Sequence, residues 1–178
     1  MNFIFSWLIL SLFGNPDLPT ETSMWTDVVR IIQETEDRRS YMEKTYGTPY
    51  YTTLTIKDYS IDVYNAVYAT NSTAQKVVDA KYSAAYFTFD DNTFVIGDHV
   101  NQGFSVIKEL KEGDEISLGK DIYVVKGIDL NAINRGELIY SDGSSAVYGN
   151  DKDLILYTCN SQKPYVTIVS CIKEEKGE

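Results

Sequence analysis

Two side chains in this sequence could together make a nucleophile: Cys159 and His99, the chain's only histidine. Cys159 closes the apolar run Leu154-Ile155-Leu156-Tyr157-Thr158, and after the polar turn Asn160 to Pro164 a second apolar run, Tyr165 to Cys171, returns. The pattern predicts a strand, a turn and a strand. The thiol then stands where a rigid strand opens onto a solvated loop, a place that suits a nucleophile better than a core cysteine. His99 likewise ends an apolar run, Thr93-Phe94-Val95-Ile96-Gly97-Asp98. A neutral imidazole can take the thiol proton, and the resulting thiolate and imidazolium stabilise each other, so such a pair needs no third ionisable group. A free cysteine more often packs as a small hydrophobe, and Cys171 is read that way.

The order of these pieces resembles a known family. Ile155-Leu156-Tyr157-Thr158-Cys159 is similar to the Thr-Leu-x-Thr-Cys motif of the sortases, with Ile155 in the first position, and Gly97-Asp98-His99 resembles the Gly-His that ends an earlier sortase strand. The segment Gly103 to Ile116 is also similar to the sortase segment after that histidine: a short helix, then a Lys-x-Gly-Asp turn into the next strand. The resemblance covers roughly residues 52–173. It implies a cysteine transpeptidase that cuts a sorting signal near a substrate protein's C-terminus and passes it to an amine, such as a cell-wall precursor or a pilin lysine, or to water. It also implies a membrane-associated protein at the cell surface.

Two departures from the family pattern stand out. Sortases carry an arginine on the strand after the cysteine, where it binds the developing oxyanion, and no arginine comes after Cys159 here. Lys163, Pro164 or Tyr165 takes its place; Lys163 could bring charge without the planar fork of a guanidinium, and Tyr165 a neutral hydrogen bond. Loss of one oxyanion donor typically costs on the order of a hundredfold in rate. Asp98 is the second departure, either orienting the imidazole or simply belonging to its loop. The candidate catalytic set is Cys159, His99, Lys163 and Tyr165, with Thr158, Asp98, Asn160 and Asn101 as candidate substrate contacts. A barrel that has lost efficient catalysis and serves as a peptide-binding or structural module is the alternative.

As for the elements that must position these residues, the composition, with 14 tyrosines, favours β-structure. Residues Thr52 to Lys57 and Ser60 to Val67 alternate as strands, Asn71 to Lys81 holds a short helix, and Ala84 to Phe89 with Thr93 to Ile96 read as a hairpin across Asp90-Asp91-Asn92. Further strands are expected at Glu115 to Leu118 and Asp121 to Ile128, after a short helix at Phe104 to Leu110. Asp129 to Asp153 is rich in Gly, Ser and Asn and reads as a long loop, a candidate substrate wall. Together these predict a mainly β protein, a closed or nearly closed barrel of about eight strands with short helices and an N-terminal helical appendage.

Three segments are expected: an apolar stretch and linker over 1–22, a helix over 23–47, and the barrel over 48–178. Residues 3–13 are apolar but shorter than the roughly 20 needed to span a bilayer, so they could anchor the chain in a membrane or pack as a helix. In the N-terminal helix, Trp25, Val28, Val29, Ile32 and later Tyr41 and Met42 recur at helical spacing while Gln33 to Ser40 is polar, so the first two turns are expected to dock firmly.

Several function classes are excluded or disfavoured. A net charge of −10 without a basic run argues against nucleic acid. One histidine and two cysteines cannot build a structural zinc site. Oxygen ligands for Ca²⁺ could come from Asp90, Asp91, Asn92, Glu109, Glu112, Asp114 and Glu115, but without EF-hand spacing they read as solvated turns, and no cofactor is expected. In the C-terminal hairpin Cys159 should lie opposite roughly Tyr165, leaving Cys171 about 20 Å away and both thiols free.

Overall fold

The computed structural model describes residues 21–88, 93–148, 151–160 and 164–175. The apolar stretch 3–13, the Asp90-Asp91-Asn92 turn and Lys163 lie outside the described residues. Two compact units are present, divided between Arg39 and Ser40. The first holds most of the long helix α1 (Glu21–Tyr46), whose polar middle is stitched by Gln33–Asp37 and Arg39–Glu36 side-chain pairs one turn apart. Among the described residues no helix is long and apolar enough to cross a membrane.

The second unit is a closed barrel. Its strands are β1 (Tyr50–Ile56), β2 (Tyr59–Asn65), β3 (Ser83–Thr88), β4 (Phe94–Asp98), β5 (Glu115–Leu118), β6 (Asp121–Asn134), β7 (Leu138–Ile139), β8 (Leu154–Cys159) and β9 (Tyr165–Lys173). Hydrogen bonding runs β1-β2-β3-β4-β8-β9-β6-β5 and returns from β5 to β1, so eight strands close the sheet and β7 hangs on β6 as a short arm. Closure removes the free edges that an open sheet would expose. Two pairings are parallel, β2 with β3 and β4 with β8. A parallel pair needs a crossover. Helix α2 (Asn71–Asp79), capped by the Thr70 hydroxyl accepting from the Thr73 amide, supplies the first of them.

Strand alternation sorts the apolar residues onto two faces. Leu154 and Leu156 point into the barrel with Ile96, Val169 and Cys171, and the 3-10 helix Gly103–Glu109 buries Phe104 and Ile107 in the same core. Ile155 belongs instead to an outer cluster with Val95, Ala132, Leu138, Val166 and Ile168. Covered on both faces, β8 reads as an unbroken apolar run. Cys171, opposite Leu154, is sealed in the core, where burial pushes its thiol up to about 12.

One expectation is corrected. Residues 129–153 are not one loop: β6 continues to Asn134 and turns back through β7. Its bulges between Val125 and Gly127 and between Asp129 and Ala132 break the two-residue period, so the strand loses its alternation signal. Within the second unit, Met42, near the C-terminal end of α1, is buried against Tyr64, Ala74 and Val77.

Candidate active site

The site is set by the parallel pairing of β4 with β8. The register runs Val95 with Ile155, Gly97 with Tyr157 and Asp98 with Thr158, so His99 and Cys159 each come one residue after the last pair of two neighbouring strands. Neighbouring strands lie about 4.8 Å apart, and residues two apart share a face. Cys159 therefore continues the Ile155 and Tyr157 series on the outer face, and His99 follows just beyond the end of β4, the next residue after Asp98. Cys159 is exposed and unpaired with Cys171.

The strand ends are strapped together. Thr158, fully buried, donates its hydroxyl to the Asp98 carbonyl at 2.7 Å. Asp98, also buried, accepts the His99 backbone amide on its own carboxylate at 2.6 Å. Both were expected to touch substrate; the register turns both side chains to the inner face, where they hold backbone instead. Gly97 has a separate reason to lack a side chain, because a Cβ there would lie 2.5 Å from the Tyr157 ring.

Burial pushes the Asp98 carboxyl up to about 7, against the lowering effect of the nearby amides of His99, Gly103 and Phe104 and of the His99 charge. Because the folded state holds this proton more tightly than the unfolded chain, stability falls as pH rises from about 4 to about 7, by on the order of 3–4 kcal/mol. Asp98→Asn keeps an oxygen for the His99 amide and has no charge to desolvate. It should melt at the same temperature as the parent at pH 4 and clearly higher at pH 8. A melting difference that is flat over this range would contradict the assignment.

His99 reaches across to α2. Its Nε2 lies 2.8 Å from Asp79 Oδ1, which also accepts from Gln75 Nε2 at 2.9 Å. Hydrogen bonds from both hold the Asp79 carboxyl below its ordinary range. Gln75 Nε2 is 3.2 Å from His99 Nε2. The end of α2 is fixed to the turn after His99 by Gln102 Nε2, which donates to the Val78 carbonyl at 3.3 Å. Neither Asp79 nor Gln75 was legible as a site residue in sequence; their four-residue spacing places them on one face of α2, but nothing local shows that this face meets His99.

Beyond Cys159, Asn160 donates Nδ2 to the Leu130 carbonyl at 2.7 Å and accepts the Thr167 hydroxyl at 3.0 Å. It is thus committed to tying the hairpin mouth to β6. Asn101 is exposed on the turn after His99. Cys159 faces Val166 on β9, one residue from the expected partner, and a one-residue offset exchanges the faces. Tyr165, one residue from Val166, therefore alternates to the other face of β9. Pro164, with no N–H, lies in the turn just before β9.

A groove of about 310 Å³ opens beside the site on the same outer surface. One face of α2 (Asn71, Ala74, Gln75, Val78) forms one wall, the β6–β7 turn (Asn134, Gly136, Glu137, Leu138) lines it as well, and Phe87 and Tyr157 complete the lining. Tyr157 precedes Cys159 by two residues on one face, so the groove adjoins the thiol at about 7 Å. Among the described residues no three His, Cys, Asp or Glu side chains gather to hold a metal. Two of the residues read as possible Ca²⁺ ligands are otherwise engaged, Glu109 with Lys57 and Asp114 with the Lys111 amide.

Comparison with protein-family models and with curated proteins finds no match to this sequence. Solved structures do match by shape. Sortase E1 from Streptomyces coelicolor, with a tripeptide in its active site, aligns with a TM-score of 0.51 at 16% identity over 71% of this chain and 88% of that one. Sortase C1 from Streptococcus agalactiae gives 0.51 at 15% identity over 85% and 92%. A lid mutant of sortase A from Corynebacterium diphtheriae gives 0.52 at 16% over 73% of each. With its eight-stranded closure and its β4–β8 pairing, the chain has the sortase fold.

Proposed function

We propose that the protein is a cysteine transpeptidase of sortase type, with Cys159 as nucleophile and His99 as its acid and base. The single observation that supports this reading is the parallel register of Asp98 with Thr158, which makes His99 and Cys159 the next residues at the same end of two neighbouring strands. The Cys159 thiolate attacks a backbone carbonyl of the bound peptide, the C–N bond breaks, and the imidazolium gives its proton to the departing amine. An incoming amine then attacks the thioester, loses a proton to the imidazole and releases the thiolate; water in its place gives hydrolysis. The groove between α2 and the β6–β7 turn is the peptide's seat, its apolar Ala74, Val78, Leu138 and Tyr157 and its amides Asn71, Gln75 and Asn134 suiting an extended chain.

The partners in this reading are a substrate protein bearing a C-terminal sorting signal and an amine acceptor such as a cell-wall precursor or a pilin lysine, met at the cell surface. Lys163 remains the candidate for the oxyanion's positive charge. A second reading, a peptide-binding module of impaired activity, is favoured by the absence of an arginine after Cys159 and by Pro164, which has no N–H to offer an oxyanion. Intact-mass measurement of the protein after incubation with a library of extended hexapeptides separates them. The enzyme acquires acyl adducts on Cys159 that neutral hydroxylamine removes; a binding module retains peptide in the groove and acquires none.

A further inference from the structure

The contacts of His99 with α2 are not needed for a two-residue Cys–His pair, yet they are specific. Asp79 Oδ1 stands 2.8 Å from Nε2 and receives Gln75 Nε2 at 2.9 Å, and no hydrogen bond joins His99 to Cys159. A carboxylate has no proton to give at neutral pH, so the short contact requires the hydrogen on Nε2. Two donors then converge on one oxygen. The 3.2 Å approach of Gln75 nitrogen to Nε2 is the contact of two groups sharing that acceptor rather than a bond between them. In a neutral imidazole the nitrogen that carries the proton leaves the other with the lone pair.

Resting on the transpeptidase reading, we infer that Asp79 is a positioning residue, fixing His99 as the Nε2–H tautomer so that Nδ1 is the nitrogen that takes the Cys159 proton, with Gln75 holding the Asp79 carboxylate in place. The same carboxylate stabilises the imidazolium formed when the thiolate is made. The site thus works as a Cys-His-Asp set in which the third member comes from the crossover helix. Because Gln75 also lines the groove, the wall that seats the peptide and the clamp that aims the base are one element.

The lone histidine makes this testable without ambiguity. A long-range ¹H–¹⁵N imidazole spectrum of the full chain at a pH where the ring is neutral should show the Nε2–H form predominating. In Asp79→Ala that preference should be lost, and alkylation of Cys159 by iodoacetamide at neutral pH should slow about tenfold or more. Asp79→Glu should recover part of the rate. Predominance of Nδ1–H in the unaltered protein overturns the inference whether or not the variant folds. So does an Asp79→Ala protein that keeps its melting temperature and alkylates within twofold of the parent. Either result leaves the transpeptidase reading standing as long as His99→Ala slows Cys159, whereas indifference of Cys159 to His99 removes that reading itself.

Discussion

Cys159→Ala should abolish acyl-adduct formation, a loss of about a thousandfold or more, while leaving the fold and peptide binding intact. The size comes from the chemistry: without the sulfur there is no covalent intermediate, and the groove and any donors can supply only what binding and polarisation give, typically several powers of ten short of the full rate. The fold should be spared because Cys159 is exposed at a strand end, and removing its sulfur opens no cavity in the interior. Retained peptide affinity is part of the expectation, since the groove is lined by other residues. Mass spectrometry for the adduct, with fluorescence anisotropy for the peptide, checks both. Adducts that persist in the variant would move the nucleophile elsewhere.

The largest expected loss of stability lies directly beneath the site. Leu156→Ala should destabilise the barrel by about 2–5 kcal/mol. Leu156 is fully buried, pairs with Ile96 on one side and Val169 on the other, and belongs to the core that Phe104 and Ile107 fill. Strand neighbours fix the backbone on both sides, so the surrounding side chains can close little of the space vacated. For a domain of this size the melting temperature should fall by roughly 4–20 °C in a thermal scan. A change near zero would mean that β8 is not a central strand. Leu156 sits on the inner face and Cys159 on the outer, so the variant's remaining folded fraction should keep its cysteine reactivity.

The features that were legible in the sequence, and those that were hidden, have physical reasons. Strands β4 and β8 were legible because both faces are buried, making their apolar runs continuous, and their ends could be read as places where chemistry could sit. Strand β6 was legible only to Ile128, since its second bulge at Asp129 to Ala132 shifts the alternation. The hairpin partner of Cys159 was missed by one residue, enough to place Tyr165 on the wrong face. Thr158 and Asp98 adjoin Cys159 and His99 in the chain, but their burial makes them straps between strands rather than surfaces for substrate. Asp79 was hidden because a hydrogen bond made across 20 residues leaves no local pattern.

The central claim is that the ends of β4 and β8 act together, with His99 raising the reactivity of Cys159. Its most direct test is the rate of iodoacetamide alkylation at each thiol at neutral pH, resolved by peptide mapping, in the parent and in His99→Ala. Cys159 should react far faster than the buried Cys171, and loss of the imidazole should slow it at neutral pH. Equal rates at the two thiols, or a Cys159 rate that His99→Ala leaves unchanged, would contradict the account.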